Sequence, residues 1–311
     1  MRYYFIINPG SHHRKAEKFI PILRRVLDRR QIDYEFGFTT CLDDACQMSR
    51  AANIRGFDII VAVGGDGTIN KVINGFYNDD GIRISDARLG VIHTGTSPDF
   101  CRSYGIPTQA LMALETLLMG KTRNISIAQI NMHSAPNDLQ SKYYACCASI
   151  GVGALVARKS NSGIRKYLGD TLGTLSAILI SLASFKASDL KVRCDGQDQT
   201  IEANFNTFIG KTAFIASGMK VFHELAPDSS RLYVLGVKKL NLLNIIPVLG
   251  ALYTGNVNQN NSYLSFSYTS EIEISAGRQN NQIEYDGDPQ GFLPCRIRIA
   301  PGKLELITNE F

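Results

Sequence analysis

Cysteine pairing is missing from this chain: its seven cysteines are odd in number, no two are spaced CxxC, and Cys146 and Cys147 are merely adjacent. A disulfide framework and a zinc site both lack the spacing they need. Histidine is scarce as well. His93, His133 and His223 stand far apart without metal-ligand spacing, and the adjacent pair His12-His13 reads as solvated. No basic and aromatic pattern suited to nucleic acid is present, and a formal charge of +5 favours anionic ligands or anionic lipid surfaces only weakly. Nucleic acid is not an expected partner on that ground. Residues 1–7 are too short, and too soon interrupted by Asn8-Pro9, for a signal peptide, so the expected location is the cytoplasm. Internal repeats and low-complexity linkers are absent too, the asparagine-rich stretch 256–262 reading as an exposed turn.

Apolar residues are plentiful. A content of 44% in 311 residues is ample for two domains with separate cores. The most informative run is 59–70, Ile-Ile-Val-Ala-Val-Gly-Gly-Asp-Gly-Thr-Ile-Asn. Five apolar residues, four of them β-branched, read as a parallel strand covered on both faces. The glycines that follow let the backbone turn with its N–H groups exposed, and the helical spacing of 71–76 puts that turn at a helix N-terminus. Gly64, Gly65 and Gly67 would therefore cradle phosphate with their amides, and Thr68 would cap the helix or bind a phosphate oxygen. An acid at Asp66 would repel bare phosphate, so its presence there points to Mg²⁺ between the carboxylate and the ligand.

The first 125 or so residues alternate strands (3–8, 33–39, 58–63, 88–93) with helices (15–29, 43–53, 69–76, 109–119). This rhythm predicts a doubly wound α/β domain whose ligands gather at the C-terminal ends of its strands. Asn8, Thr40, Asp66 and residues 94–99 fall at such ends, which brings Thr40 and Thr96 into the nucleotide set. From about residue 124 the pattern changes to alternating strands (124–131, 142–150, 191–194, 201–208, 231–236, 263–268, 271–275), which predicts an antiparallel β-sandwich. The fold class is thus α/β plus all-β, with domains at 1–124 plus a returning segment 295–311, and at 125–294. One helix interrupts the second domain. Leu172, Leu175, Leu179 and Leu182 follow Arg158, Lys159, Arg165 and Lys166, with Lys186 closing the run. The stretch 171–185 falls short of the ~18 apolar residues a spanning helix needs. It either packs on its own domain or lies on an anionic membrane surface.

The Gly64-Gly65-Asp66-Gly67-Thr68 turn, together with Asn8-Pro9-Gly10-Ser11, Gly95-Thr96-Ser97-Pro98-Asp99-Phe100 and Tyr285-Asp286-Gly287-Asp288, resembles the diacylglycerol kinase catalytic family, the bacterial lipid kinases and their sphingosine kinase relatives. The pentapeptide alone is shared with NAD kinases, whose further motifs are not apparent here. The resemblance implies ATP and Mg²⁺ as cofactors and a lipid alcohol such as diacylglycerol as acceptor. It also allows a homodimer, and places the 285–291 segment near an interdomain cleft. It puts Asn8 and Asp286 beside the nucleotide. It further makes Asp288 the counterpart of a catalytic glutamate, able to accept the hydroxyl proton while Asp66 acts through Mg²⁺.

Three departures from the family pattern stand out. Ser97-Pro98 replace a glycine and an asparagine, and Pro98 fixes φ and donates no N–H. Asp99 is kept, to orient nucleotide or acceptor, with Arg102 close enough in sequence to pair with it. The base is an aspartate, one methylene shorter. In 226–234, Ala-Pro-Asp-Ser-Ser-Arg-Leu-Tyr-Val stands where the family shows Asp-Asp-Gly and then Leu-Asp-Val, a run that helps hold a structural magnesium in some bacterial members; Asp228 is its one remnant. Two alternatives stay open beside the lipid kinase: a kinase of a specialised non-lipid alcohol, and a nucleotide- or lipid-binding sensor without turnover.

Overall fold

The computed structural model describes residues 1–41, 43–135, 138–159, 176, 181, 185–255, 261–275, 282–286 and 288–309. The expected helix 171–185, apart from three residues, lies outside the described residues, as do Arg165, Lys166 and most of the asparagine-rich turn. The chain divides into two compact units, Met1–Ile127 with Ala300–Phe311, and Ala128–Ile299.

The first unit runs β1 (Arg2–Ile7), α1 (Ser11–Arg29), β2 (Asp33–Phe38), α2 (Asp44–Ile54), β3 (Ile59–Gly64), α3 (Asp66–Asn74), β4 (Arg88–His93), α4 (Asp99–Ser103), α5 (Ala110–Met119) and β5 (Thr122–Ile125). The second holds β6 (Ala128–Ala135), β7 (Asp138–Tyr144), β8 (Cys147–Gly151), α6 (Gly153–Lys159), β9 (Ser188–Cys194), β10 (Gln197–Gly210), β11 (Phe214–Ile215), β12 (Met219–Lys220), β13 (Leu232–Lys238), α7 (Leu242–Thr254), β14 (Leu264–Thr269), β15 (Glu271–Ile274), β16 (Gln282–Tyr285) and β17 (Asp288–Ile299). The chain then returns to the first unit as β18 (Leu304–Ile307).

The first sheet has the order β2-β1-β3-β4-β18-β5, parallel except for β5. All six residues of β3 are buried, as expected of a strand covered on both faces. Helix α1 buries Ala16, Phe19, Leu23 and Leu27, spaced three and four apart, on its inner stripe. The strand order reverses direction at β1 and β3, the place where open α/β sheets bind ligands.

The second unit is antiparallel β. Its ten-stranded sheet follows β14-β13-β10-β8-β16-β17-β15-β9, with β6 and β7 branching from β17. Strand β10 bends at bulges between Ile201 and Asn206, so its first half pairs with β9 and its second half with β8 and β13. The sheet thereby closes on itself around a core that includes Ile130, Tyr144, Ile150, Ile209, Ile272, Ile283 and Ile297. Residues 295–299 complete β17 within this unit, paired with β6 and β15.

Two expected strands are each divided. The segment 124–131 breaks at Ser126-Ile127, giving β5 to the first sheet and β6 to the second. The segment 142–150 breaks at Ala145-Cys146, where Asp286 draws backbone amides out of the ladder. Helix α7 was not anticipated, because Ile245, Val248, Leu249 and Leu252 are buried within a run so apolar that it shows no period.

Candidate active site

At the C-terminal ends of β1, β3 and β4, three loops of the first unit converge. The β3–α3 turn has Gly65 extended (φ −89°, ψ −177°) and α3 starting at Asp66, so the first N–H groups of the helix lack intrahelical acceptors. Glycine is required here by space. A Cβ on Gly64 would lie 2.4 Å from Thr68 Oγ1, and one on Gly95 would lie 2.4 Å from Gly65 Cα. The two glycine loops therefore cross backbone to backbone. Asn8 fastens the third: its N–H donates to Val63 O (2.9 Å) and its Nδ2 to Thr68 Oγ1 (3.2 Å). Thr68 is buried, which leaves its hydroxyl facing Asn8 rather than solvent. Below this layer, Thr94 Oγ1 donates to Ser11 Oγ (3.2 Å), joining the ends of β4 and α1.

Asp66 looks inward across this crossing. Its Oδ2 accepts from the backbone N–H of Asp99 (3.1 Å) and of Phe100 (3.5 Å), so it caps α4, and its Oδ1 lies 3.7 Å from His93 Nε2. His93 is 3% exposed. Burial, with the positive charges of Lys15, His12 and Arg102, lowers its pKa to about 4, against a smaller opposing effect of Ser97 O. The ring is therefore neutral at pH 7, and since Ser97 O can only accept, Nε2 carries the proton in the 3.1 Å bond between them. His93 thus fixes the Ser97-Pro98 segment, and the same basic rim that disfavours its protonation is suited to phosphate.

The remaining sequence candidates of this unit fall around that crossing with different freedom. Thr96 is exposed, and Asp99 is 5% exposed at the start of α4. Arg102, on the same short helix, is exposed. Thr40 is tied into the β2–α2 turn: its N–H and its hydroxyl both donate to Asp44 Oδ2, each at 2.7 Å. Those bonds, with the N–H of Cys41 foremost, hold the Asp44 carboxyl below the usual range. His93, Thr94 and Ser11 were missed as site residues. A signal existed for the last two, because both follow strand ends that carry recognised motifs; a lone histidine carried none.

In the second unit, Tyr285 pairs with Asp288 in the β16–β17 register, and Asp286 adopts φ 48°, a left-handed conformation that aspartate tolerates. Its carboxylate accepts from the N–H groups of Ala145 (3.3 Å), Cys146 (3.2 Å) and Cys147 (3.2 Å). Asp286 is thus the anchor of this hairpin. Asp288 opens β17, and its side chain lies outside the described residues.

The sequence points to one metal, Mg²⁺ at Asp66, and leaves Asp228 only as the remnant of a second site. Among the described residues no group of three or more His, Cys, Asp and Glu side chains is arranged to hold an ion. Asp66, with its side chain 16% exposed, fits Mg²⁺ bound chiefly by nucleotide phosphates, the usual arrangement for that ion. The loop around Asp228 does not fit a second metal. There Lys211 Nζ already donates to the carbonyls of Ser229 (2.6 Å) and Arg231 (3.2 Å).

The family described as Diacylglycerol kinase catalytic domain matches residues 2–130. The one described as YegS C-terminal NAD kinase beta sandwich-like domain matches residues 146–308, just over half of the chain. A diacylglycerol kinase of Bacillus subtilis (strain 168) is 27% identical over 294 residues, covering 93% of this chain and 90% of that protein. One from Staphylococcus aureus (strain bovine RF122 / ET3-1) is 25% identical over 316 residues, covering 98% and 95%. The crystal structure of a diacylglycerol kinase from Bacillus anthracis str. Sterne shares the fold, with a TM-score of 0.68 at 18% identity over 99% of this chain and 97% of that one.

Proposed function

Because the chain belongs to the diacylglycerol kinase catalytic-domain family, we propose that it transfers the γ-phosphoryl group of ATP to a hydroxyl of diacylglycerol or a related lipid alcohol. The observation that carries the proposal is the glycine crossing at the strand-order reversal, where the first turn of α3, the Asn8–Thr68 bond and a basic rim come together. In this reading the amides of Gly64, Gly65, Gly67 and Thr68 hold phosphate, with Asn8, Thr40 and Thr96 around the nucleotide. Thr40 contributes through its acceptor lone pairs, its donors being spent on Asp44. Asp99 and Arg102 orient nucleotide or acceptor. When bound, Mg²⁺ supplies charge neutralisation for the transferring phosphoryl group, and Asp66 is the residue that would hold it.

Asp288 is the proposed base, and Asp286 sets the turn that presents it. The acceptor oxygen forms a bond to the γ-phosphorus, the bond from that phosphorus to the β,γ-bridging oxygen breaks, the hydroxyl proton passes to Asp288, and ADP leaves. Work in the cytoplasm with peripheral contact at anionic membrane belongs to the same proposal. No helix among the described residues is long and apolar enough to cross a membrane.

The test is a kinetic split. Asp288→Asn keeps size but cannot take a proton, so turnover on diacylglycerol should fall by about 10² to 10⁴ with ATP affinity nearly unchanged. An Asn variant that turns over like the parent removes Asp288 from the role of base.

A further inference from the structure

Lys211 is the one lysine or arginine among the described residues that is buried, with 5% exposure. It follows the last residue of β10, whose Gly210 pairs with Tyr233 of β13. From there its stem reaches back across the incoming 226–231 loop, and Nζ donates to two carbonyls of that loop, Ser229 O and Arg231 O. The neighbouring residue joins the same clamp: Tyr233 Oη, fully buried, donates to Thr212 O (3.1 Å). Asp228 supplies negative charge close enough to favour the ammonium against the burial that opposes it. Two convergent carbonyls with the charge of Asp228 acting on the same point are the kind of oxygen surroundings a hard cation takes, and here the ammonium donates to both carbonyls.

We propose that the ammonium of Lys211 is a tethered structural cation of the 226–231 loop, standing in for a divalent ion and making the fold of the second unit independent of one. The sequence supports this exchange at several positions. A carboxylate at 233 would meet a buried, apolar neighbourhood; the tyrosine there places its ring against His223 and Phe266 and closes the clamp with a neutral hydroxyl. Ser229 and Arg231 take part through backbone oxygens, so their side chains are free to differ from any metal-binding pattern.

The experiment is thermal unfolding of the full chain without nucleotide, in Mg²⁺, in Ca²⁺ and after chelation, for the parent, Lys211→Ala and Lys211→Gln. The parent should melt at one temperature in all three conditions. Lys211→Ala should melt roughly 5 °C lower after chelation, the scale set by losing hydrogen bonds from a charged donor, and should recover part of that loss when either ion fills the vacated space. Lys211→Gln, which keeps the stem and one donor, provides a milder variant and should fall between the two. A parent that loses stability on chelation overturns the proposal. Equal ion responses in the parent and Lys211→Ala, or a Lys211→Gln chain that melts with the parent, overturn it as well.

Discussion

Asp66 caps α4 and carries the proposed metal role as well, and substitutions separate the two. Its carboxylate caps α4 through Asp99 N–H and Phe100 N–H, so Asp66→Ala should lose about 1 kcal/mol of stability, whereas Asp66→Asn retains an acceptor and should lose less. Both variants lose the charge proposed to face metal and phosphate, so transfer should fall at least about a hundredfold in each. Comparing denaturant midpoints with turnover numbers tells the two roles apart. His93 offers a pH signature. Its pKa is about 4 folded and near the ordinary 6.5 unfolded, so the unfolded chain binds the extra proton between those values and stability rises with pH across that window. The cost is absent above pH 6.5 and reaches about 3 kcal/mol near pH 4 and below. His93→Gln, which can still donate to Ser97 O, should flatten the curve of unfolding free energy from pH 4 to 6.5; an unchanged slope would show that His93 is not buried neutral. The glycines and Asp66 were legible in sequence because space and charge restrict those positions to few residue types. His93 was not, because only the folded chain shows that its ring meets Ser97 O.

At the level of elements, hydrophobic period located most strands and helices of the first unit, and its failures have physical causes. Asp286 is one such cause: a single carboxylate capturing three consecutive amides divides 142–150 into β7 and β8, a long-range effect that no local pattern carries. Helix α7 hid behind uniform apolarity, and β10 behind a bend that lets one strand serve two partners. The β11–β12 hairpin holds exposed Ala216 at φ 47°, a conformation that disfavours a Cβ. Ala216→Gly should therefore raise stability by about 0.5 to 1 kcal/mol. The reverse change at Gly120, which caps α5 at φ 70° with open space around it, should lower stability by a similar ~1 kcal/mol. Paired urea melts check both signs; matching shifts of one sign would show that packing, not backbone conformation, governs these turns.

For the whole molecule, the two-part organisation was visible as a change of rhythm near residue 124, and the α/β half gathers its motifs at the strand-order reversal as that rhythm implies. The acceptor was not visible. It is the property that separates a lipid kinase from a kinase of another alcohol or from a sensor, and shape alone does not fix it. The direct measurement is transfer of label from γ-labelled ATP with Mg²⁺ to extracted lipids and, separately, to a pool of soluble metabolites, using the parent chain and Asp66→Asn. Label should enter the lipid fraction with the parent and be lost from it with Asp66→Asn. Label confined to the soluble pool, label in neither fraction, or equal labelling of lipid by both chains would contradict the proposed function.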